Sequence, residues 1–232
     1  MTDPLAGLVR AWLRRAGDNL IASAVELTEL DARIGDGDHG INMRRGMEAV
    51  AAVLEAADAG EGSAGLLRGC GRRIISVVGG ASGPLYGTLL IATADALGDR
   101  PSDAGDLAKA LEHGVAAVGR RGRSEVGQKT MLDTLTPAAA ALAACLRRGD
   151  SAADAAGAAV AAARAGHEST REMVAQRGRA SYLGERARGH LDPGAASALI
   201  VVEALAAALI DQPVASIVAG ASRYPSPYSV PM

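Results

Sequence analysis

Three carboxylates, a histidine and three glycines lie within the twelve residues 31–42. The carboxylates belong to Asp31, Asp36 and Asp38, and His39 follows them directly. Two carboxylates about 4 Å apart repel each other by roughly 4 kcal/mol at an effective dielectric constant near 20. A fold that brings them together must therefore protonate one of them or bind a cation. Oxygen ligands suit a hard ion such as Mg²⁺, which completes its shell with water and phosphate oxygens. The segment predicts a site for Mg²⁺ and a nucleotide.

A polar turn and an EF-hand loop are also rich in acidic residues. An isolated Asp-Gly-Asp is common in turns because Gly and Asp are ordinary turn residues, but this cluster is larger. An EF-hand loop counted from Asp36 needs an acceptor at its fifth position, Gly at its sixth and Glu at its twelfth. Those positions hold Gly40, Ile41 and Met47, which excludes the EF-hand.

A second loop, Gly-Gly-Ala81-Ser82-Gly-Pro84, precedes an apolar helical stripe. Small residues allow backbone N–H groups to approach an anion, and a helix N-terminus favours phosphate. The same residues also fit a tight helix–helix turn, with Ser82 as N-cap and Pro84 in the first helical turn. The neighbouring acidic cluster favours phosphate binding.

The segment 122–130 is similar to a P-loop but lacks its spacing. A P-loop requires Lys directly after the second Gly and a strand before the first. Here Gln128 separates Gly127 from Lys129, and the preceding residues have a helical pattern, so a P-loop is excluded. Lys129 either neutralises an acidic neighbour or is a solvated lysine at the start of a helix.

A third unusual segment, 178–194, is too polar for a helical core. Its Arg179 can bind phosphate through two parallel hydrogen bonds, or it can form a surface salt bridge that stabilises little. Asp192-Pro193-Gly194 is a turn sequence, and the Asp192 carboxylate can also accept hydrogen bonds from a ligand.

The composition and periodicity predict helices as the elements that position these loops. The chain is 49% hydrophobic but 2% aromatic, with no Phe, and its abundant Ala and Leu favour close-packed helices. Apolar residues recur at helical spacing nearly throughout, although residues 74–78 also fit a short buried strand. We predict an all-α fold with a single domain of about eight antiparallel helices over residues 1–210. Residues 211–232 form a proline-containing tail.

The four segments 31–42, 79–88, 122–133 and 178–194 depart from the Ala- and Leu-rich background. Alternate connections of an antiparallel bundle lie at the same end. Because loops carry function disproportionately, four unusual ones predict a shared site.

The net charge and the cysteines indicate which compartment and which partners to expect. A net charge of −2 gives no electrostatic case for nucleic acid. Cys70 and Cys145 lack metal-ligand spacing and are typical of free thiols in a reducing compartment. Neither a signal pattern nor an apolar run of about 18 residues is evident. We therefore expect a cytoplasmic protein without membrane or nucleic-acid partners.

Taken together, these motifs resemble the nucleotide-binding subunit (subunit L) of the dihydroxyacetone kinases that draw phosphate from the phosphotransferase system. The matching motifs are Asp31-x-x-Ile-Gly-Asp36-Gly-Asp38-His39-Gly-x-Asn42, Gly-Gly-Ala81-Ser82-Gly-Pro, Lys129-Thr-Met131-x-Asp133, Gly-Arg179-Ala-Ser-Tyr and His190-x-Asp192-Pro-Gly194. The resemblance extends over residues 5–210. Gln128 departs from it, since the family usually has Asp at that position.

The resemblance implies a fold, a cofactor and a set of site residues. The fold is an eight-helix antiparallel barrel, and Asp31, Asp36 and Asp38 hold two Mg²⁺ ions that bridge the diphosphate of ADP or ATP. Those carboxylates and Arg179 take the catalytic roles. The ADP-contacting positions correspond to His39, Gly40, Ile41, Asn42, Ala81, Ser82, Gly122, Met131, Arg179, Asp192, Pro193 and Gly194.

The resemblance also implies a phosphotransferase that works with partner subunits. A phosphohistidine on a donor subunit (M type) converts resident ADP to ATP, which phosphorylates dihydroxyacetone held on a substrate-binding subunit (K type).

Three alternatives to this function are compatible with the sequence. One is a self-sufficient kinase that uses free ATP on a triose or tetrulose, and another is a regulatory module whose nucleotide state is read by a transcription regulator. A metal-dependent phosphohydrolase is disfavoured, because no poised nucleophile or general base accompanies the aspartates. A homodimer is also left open.

Overall fold

The computed structural model describes residues 3–211, and this part of the chain is helical with no β-strand. The nine α-helices are α1 (Ala6–Ala22), α2 (Ala24–Ile34), α3 (His39–Ala56), α4 (Ser63–Val77), α5 (Ser82–Leu97), α6 (Ala104–Gly122), α7 (Leu132–Arg148), α8 (Ala152–Ser169) and α9 (Pro193–Asp211). Two 3₁₀ segments, Thr170–Glu172 and Arg179–Ala187, lie between α8 and α9. The all-α prediction is confirmed. The strand considered for residues 74–78 is wrong, because α4 continues to Val77.

Eight of the helices form a closed ring. Each of α3 to α8 packs against the next helix in the chain, and α1 closes the ring between α9 and α3. The remaining helix, α2, follows α1 after the single residue Ser23 and packs mainly against α3. The predicted barrel of about eight antiparallel helices is therefore confirmed. The proline-containing tail was predicted to start at residue 211, but Asp211 ends α9, and residues 212–232 lie outside the described part.

The interior of the ring is filled by apolar side chains that recur at helical spacing. Leu8, Val9 and Trp12 of α1 are buried, as the apolar stripe of that helix predicts. The Trp12 indole donates a hydrogen bond from Nε1 to the Val201 carbonyl at 3.0 Å, which joins α1 to α9. By length and composition α9 is apolar enough to span a membrane, contrary to the sequence expectation. However, 56% of it is buried in the fold, as for a core helix.

A proline inside α7 is accommodated by a glycine of α8. Pro137 lacks an N–H group, so the Asp133 carbonyl one turn earlier receives no hydrogen bond from it. A Cβ atom at Gly166 would lie 1.9 Å from that carbonyl oxygen. Glycine therefore lets α8 approach α7 closely at the end of the barrel where α7 begins.

Candidate functional site

The four unusual segments meet at one end of the barrel, as predicted, and line a cavity of about 390 Å³. This volume lies within the range of small-molecule sites. The predicted site residues in its wall are Asp31, Asp36, Asp38, His39, Ala81, Ser82, Gly122, Met131, Arg179, Asp192, Pro193 and Gly194. Gly40, Ile41 and Asn42 lie outside this wall. A Cβ atom at Gly40 would lie 1.8 Å from the Ala24 carbonyl oxygen, so this glycine allows α3 to pack against α2.

Four helices begin at this cavity, namely α3, α5, α7 and α9. The first turn of each helix has N–H groups without a partner inside the helix. These groups, together with the helix dipole, favour anions. Ser82 is the first residue of α5 and no side chain caps that helix, so the alternative interpretation of Ser82 as an N-cap is wrong. The cavity therefore combines acidic side chains with several N–H-rich helix ends.

The three carboxylates form one cluster. Asp31, Asp36 and Asp38 each offer an oxygen atom, and these oxygens lie within 4.8 Å of one another. Asp31 Oδ2 accepts hydrogen bonds from the backbone N–H groups of Asp38 at 2.9 Å and His39 at 3.1 Å. These bonds fix the Asp31 carboxylate and fold the loop around it. The donor set, three carboxylates in close proximity, fits a hard divalent cation such as Mg²⁺.

Gly35 is required beside this cluster for steric reasons. A Cβ atom at position 35 would lie 2.0 Å from Asp31 Oδ1, the carboxylate oxygen that does not bind the loop amides. Any other residue would displace the Asp31 side chain. The sequence shows this glycine only as one of several in the loop, so its contact with Asp31 could not be predicted.

Arg179 lies next to the acidic cluster. Its Nε is 2.8 Å from Asp36 Oδ2, and its side chain is 67% exposed, so the ion pair itself stabilises the fold little. Of the two sequence interpretations, the salt bridge is present, but its partner is a site carboxylate. The guanidinium therefore lies at the cavity wall, where it can also contact a phosphate.

His39 is buried, and both of its ring nitrogens contact hydroxyl groups. Nδ1 lies 3.1 Å from Ser82 Oγ, and Nε2 lies 2.9 Å from Ser197 Oγ. Burial lowers the pKa of His39, while Asp31 and Asp38 act in the opposite direction. Because both nitrogens already have partners, the imidazole contributes to the wall of the site rather than to the metal cluster.

Lys129 is buried, with 1% of its surface exposed, so its interpretation as a solvated lysine is wrong. Its Nζ donates to the carbonyls of Thr170 and His190, each at 2.5 Å. Burial lowers the Lys129 pKa, against the opposing effect of Asp192. The ammonium group thus ties the segment between α6 and α7 to both ends of the 170–190 segment.

Asp192 and Pro193 start α9 rather than forming the predicted turn. Asp192 Oδ2 accepts a hydrogen bond from the Ala195 N–H at 2.7 Å, so Asp192 caps the helix, and Pro193 occupies the first helical position. Burial raises the pKa of Asp192 to about 7, although Ala195 and Lys129 partly oppose this.

Three residues that sequence reasoning missed shape the site. Asp133 accepts hydrogen bonds from the N–H groups of Gly127 at 2.5 Å and Thr130 at 2.7 Å, and so folds the segment before α7. Tyr86 and Ser197 are buried beneath His39. Asp133 lies within a matched motif and Tyr86 lies two residues after Pro84 of another, which was a usable signal. Ser197 lies in an Ala-rich helix that gives none.

Comparisons with known proteins agree with this geometry. The sequence profile described as the DAK2 domain matches residues 33–207. The chain is 42% identical over 199 residues to the ADP-binding subunit DhaL of the PEP-dependent dihydroxyacetone kinase of Escherichia coli, with 85% of this chain and 94% of that protein covered. It is 39% identical over 197 residues to the corresponding subunit of dihydroxyacetone kinase 1 of Listeria innocua, with 84% and 92% covered.

A solved structure shares the fold. The dihydroxyacetone kinase from C. freundii, crystallised with AMP-PNP and Mg²⁺, has a TM-score of 0.66 and 27% sequence identity to this chain. The match covers 89% of this chain but 34% of the C. freundii chain.

Proposed function

Because the chain belongs to the DAK2-domain family, we propose that it is the ADP-binding subunit of a phosphoenolpyruvate-dependent dihydroxyacetone kinase. The observation that carries this proposal is the three-carboxylate cluster in the wall of a cavity where four helices begin. Such a site offers ligands for Mg²⁺ and N–H donors for phosphate side by side. Phosphoryl transfer requires mainly this combination of positioning and charge neutralisation.

Different residues would hold different parts of the diphosphate. Asp31, Asp36 and Asp38 would hold two Mg²⁺ ions, which when bound neutralise charge on the phosphate oxygens. Arg179 contacts Asp36 and can donate to a phosphate from the same side of the cavity. The N–H groups at the start of α5 and the N–H of Gly194 in α9 would donate to the remaining phosphate oxygens, since Pro193 has no N–H and Ala195 donates to Asp192. Gly122 and Met131, in the same wall, would contact the rest of the nucleotide.

We further propose that the nucleotide remains bound and relays phosphate between partner subunits. A phosphohistidine on a donor subunit would convert ADP to ATP, and ATP would phosphorylate dihydroxyacetone held on a substrate-binding subunit. The match supports this arrangement, since the chain covers 92% and 94% of two stand-alone ADP-binding subunits. The buried, unpaired Cys70 and Cys145 agree with a reducing compartment and hence with the cytoplasm.

The first test is the nucleotide and metal content of the purified and extensively dialysed protein. We expect about one ADP per chain and two Mg²⁺, the numbers that the family resemblance implies. Asp36→Asn should lose both, because Asp36 lies in the cluster. Asp95→Asn is the matched control, since Asp95 forms a surface ion pair with Arg68.

Transfer assays then separate the proposal from its alternatives. Conversion of bound ADP to ATP by a phosphohistidine donor, and transfer to dihydroxyacetone only with a substrate-binding subunit present, would support it. Turnover of free ATP with dihydroxyacetone or a tetrulose by the isolated chain would instead show a self-sufficient kinase. Retention of ADP by Asp36→Asn at the wild-type level would remove Asp36 from the metal site.

A further inference from the structure

Four polar side chains are linked along the cavity wall, which His39, Ser82 and Tyr86 line and behind which Ser197 is buried. Tyr86 Oη lies 2.7 Å from Ser197 Oγ, which lies 2.9 Å from His39 Nε2, and His39 Nδ1 lies 3.1 Å from Ser82 Oγ. Tyr86, Ser197 and His39 are all buried. A buried polar group without a partner costs free energy, so the hydrogens of this chain must be distributed consistently.

The carbonyl of Gly194 sets the direction of these hydrogen bonds. A carbonyl oxygen only accepts, and Ser197 Oγ donates to it at 3.0 Å. A serine hydroxyl has one hydrogen and two lone pairs, so Ser197 accepts from both of its other partners. The Tyr86 hydroxyl therefore donates to Ser197, and His39 donates to Ser197 from Nε2.

The position of the hydrogen on the His39 ring then determines which partner donates in the hydrogen bond between His39 and Ser82. A neutral imidazole that carries its hydrogen on Nε2 has an unprotonated Nδ1, which only accepts. The Ser82 hydroxyl consequently donates to His39. The oxygen lone pairs of Ser82 remain available to a ligand in the cavity. The groups at this loop that can donate hydrogen bonds to a phosphate are therefore the backbone N–H groups at the start of α5.

The same chain joins three segments of the cavity wall. His39 begins α3 directly after the acidic loop, Ser82 begins α5, and Ser197 bonds to Gly194 in the first turn of α9. The Tyr86–Ser197, Ser197–His39 and His39–Ser82 contacts each join residues that are far apart in the sequence. The contact between Ser197 and Gly194 is local. The chain therefore fixes the relative positions of three helix starts.

We propose that Tyr86 and Ser197 are positioning residues of the nucleotide site. Through the Nε2–H tautomer of His39 they hold the Ser82 hydroxyl and keep the starts of α3, α5 and α9 in register. This inference rests on the proposed function, because it assigns the two residues to the binding of Mg²⁺ and ADP. Ser197 lies outside the cavity wall and acts through His39, whereas Tyr86 is a buried residue of the wall.

The test uses the full-length protein and measures Mg²⁺–ADP affinity by calorimetry after bound nucleotide has been removed. Ser197→Ala leaves the His39 Nε2–H without its acceptor and should weaken binding about tenfold or more. Tyr86→Phe removes one hydroxyl and retains the ring, so a loss of about three- to tenfold is expected. Ser197→Thr keeps the hydroxyl and should bind close to the wild-type level.

Thr93→Val is the matched control for the loss of a buried hydroxyl. Thr93 is fully buried in α5 and donates to the Leu89 carbonyl at 2.7 Å, away from the cavity wall. It should cost stability without changing Mg²⁺–ADP affinity.

The tautomer of His39 gives a readout that general destabilisation does not change. The chain has four histidines, so ¹⁵N NMR of the imidazole rings can be assigned. We expect His39 in the wild-type protein to carry its hydrogen on Nε2, and this preference should weaken in Ser197→Ala. If Ser197→Ala does not fold, the Mg²⁺–ADP affinity of Tyr86→Phe and the tautomer of His39 in the wild-type protein test the inference.

The possible failures are distinguishable. A wild-type protein that binds no ADP would refute the proposed function and this inference with it. Normal wild-type binding, with both variants as tight as Thr93→Val, would refute this inference alone. An Nδ1–H tautomer of His39 in the wild-type protein would also overturn it.

Discussion

At the scale of single residues, the metal cluster depends on the unequal environments of its three carboxylates. Asp31 is buried and one of its oxygens binds two backbone N–H groups, whereas Asp36 and Asp38 are exposed. The buried carboxylate is thus held in place by the loop, whereas Asp36 is held by an exposed ion pair with Arg179. Fixed supporting bonds of this kind orient a metal ligand before the ion binds.

Gly35→Ala should disrupt the cluster although it changes no ligand. The new Cβ would lie 2.0 Å from Asp31 Oδ1, so the carboxylate must move. We expect Mg²⁺–ADP affinity to fall about tenfold or more, as for other losses of support around a metal ligand. Calorimetric titration of the nucleotide-free protein measures this change.

Gly60→Ala serves as the control for this substitution. Gly60 also lies in a loop, and a Cβ atom there meets nothing within 4 Å. Equal affinities for the two variants would show that the Asp31 carboxylate tolerates displacement.

At the scale of helices and loops, the sequence was informative where local signals dominate. The apolar residues at helical spacing predicted the buried face of α1. The segment 170–192 was not predictable, because the Lys129 side chain supplies contacts that arise from a distant part of the chain. The helix-capping role of Asp192 was also missed, since Asp-Pro-Gly fits a turn equally well.

The close approach of α7 and α8 gives a prediction for stability. Gly166→Ala would place a Cβ 1.9 Å from the Asp133 carbonyl oxygen, so the two helices must separate. We expect the free energy of unfolding to fall by about 1–3 kcal/mol, as for other overpacked contacts. Urea denaturation monitored by circular dichroism measures it.

Gly157→Ala in the same helix provides the comparison. A Cβ at Gly157 meets nothing within 4 Å, so alanine should stabilise α8 by about 0.5–1 kcal/mol through its higher helix propensity. Destabilisation of similar size in both variants would contradict the steric argument.

At the scale of the whole molecule, the eight-helix ring was predicted by the family resemblance, and the helix pattern alone predicted only a bundle. The ring closes because α1 packs between α9 and α3, with Trp12 bonded to Val201. Such a contact between distant parts of the chain leaves no periodic signal. The cavity at one end of the ring joins segments from both halves of the sequence, so its ligand should stabilise the entire fold.

Mg²⁺ and ADP together should therefore raise the melting temperature. A ligand at 100 times its dissociation constant stabilises the native state by about 2.7 kcal/mol, or about 5–10 °C for a domain of this size. With EDTA present, ADP should raise the melting temperature much less, because the carboxylates then repel the phosphates. Differential scanning fluorimetry measures both shifts, and an equal shift with and without EDTA would contradict a metal-dependent site.

The described ends of the chain lie away from the cavity. Asp3 binds the Ser63 N–H at 2.7 Å, at the start of α4, whose other end leads into the cavity wall, and α9 runs from the wall to Asp211. A fluorophore attached at Asp3 or at Asp211 would therefore leave the mouth of the site open. A phosphate donor tethered at Asp211 would have to reach along α9, about 28 Å for its 19 residues. A linker of about eight extended residues is the shortest that could deliver it.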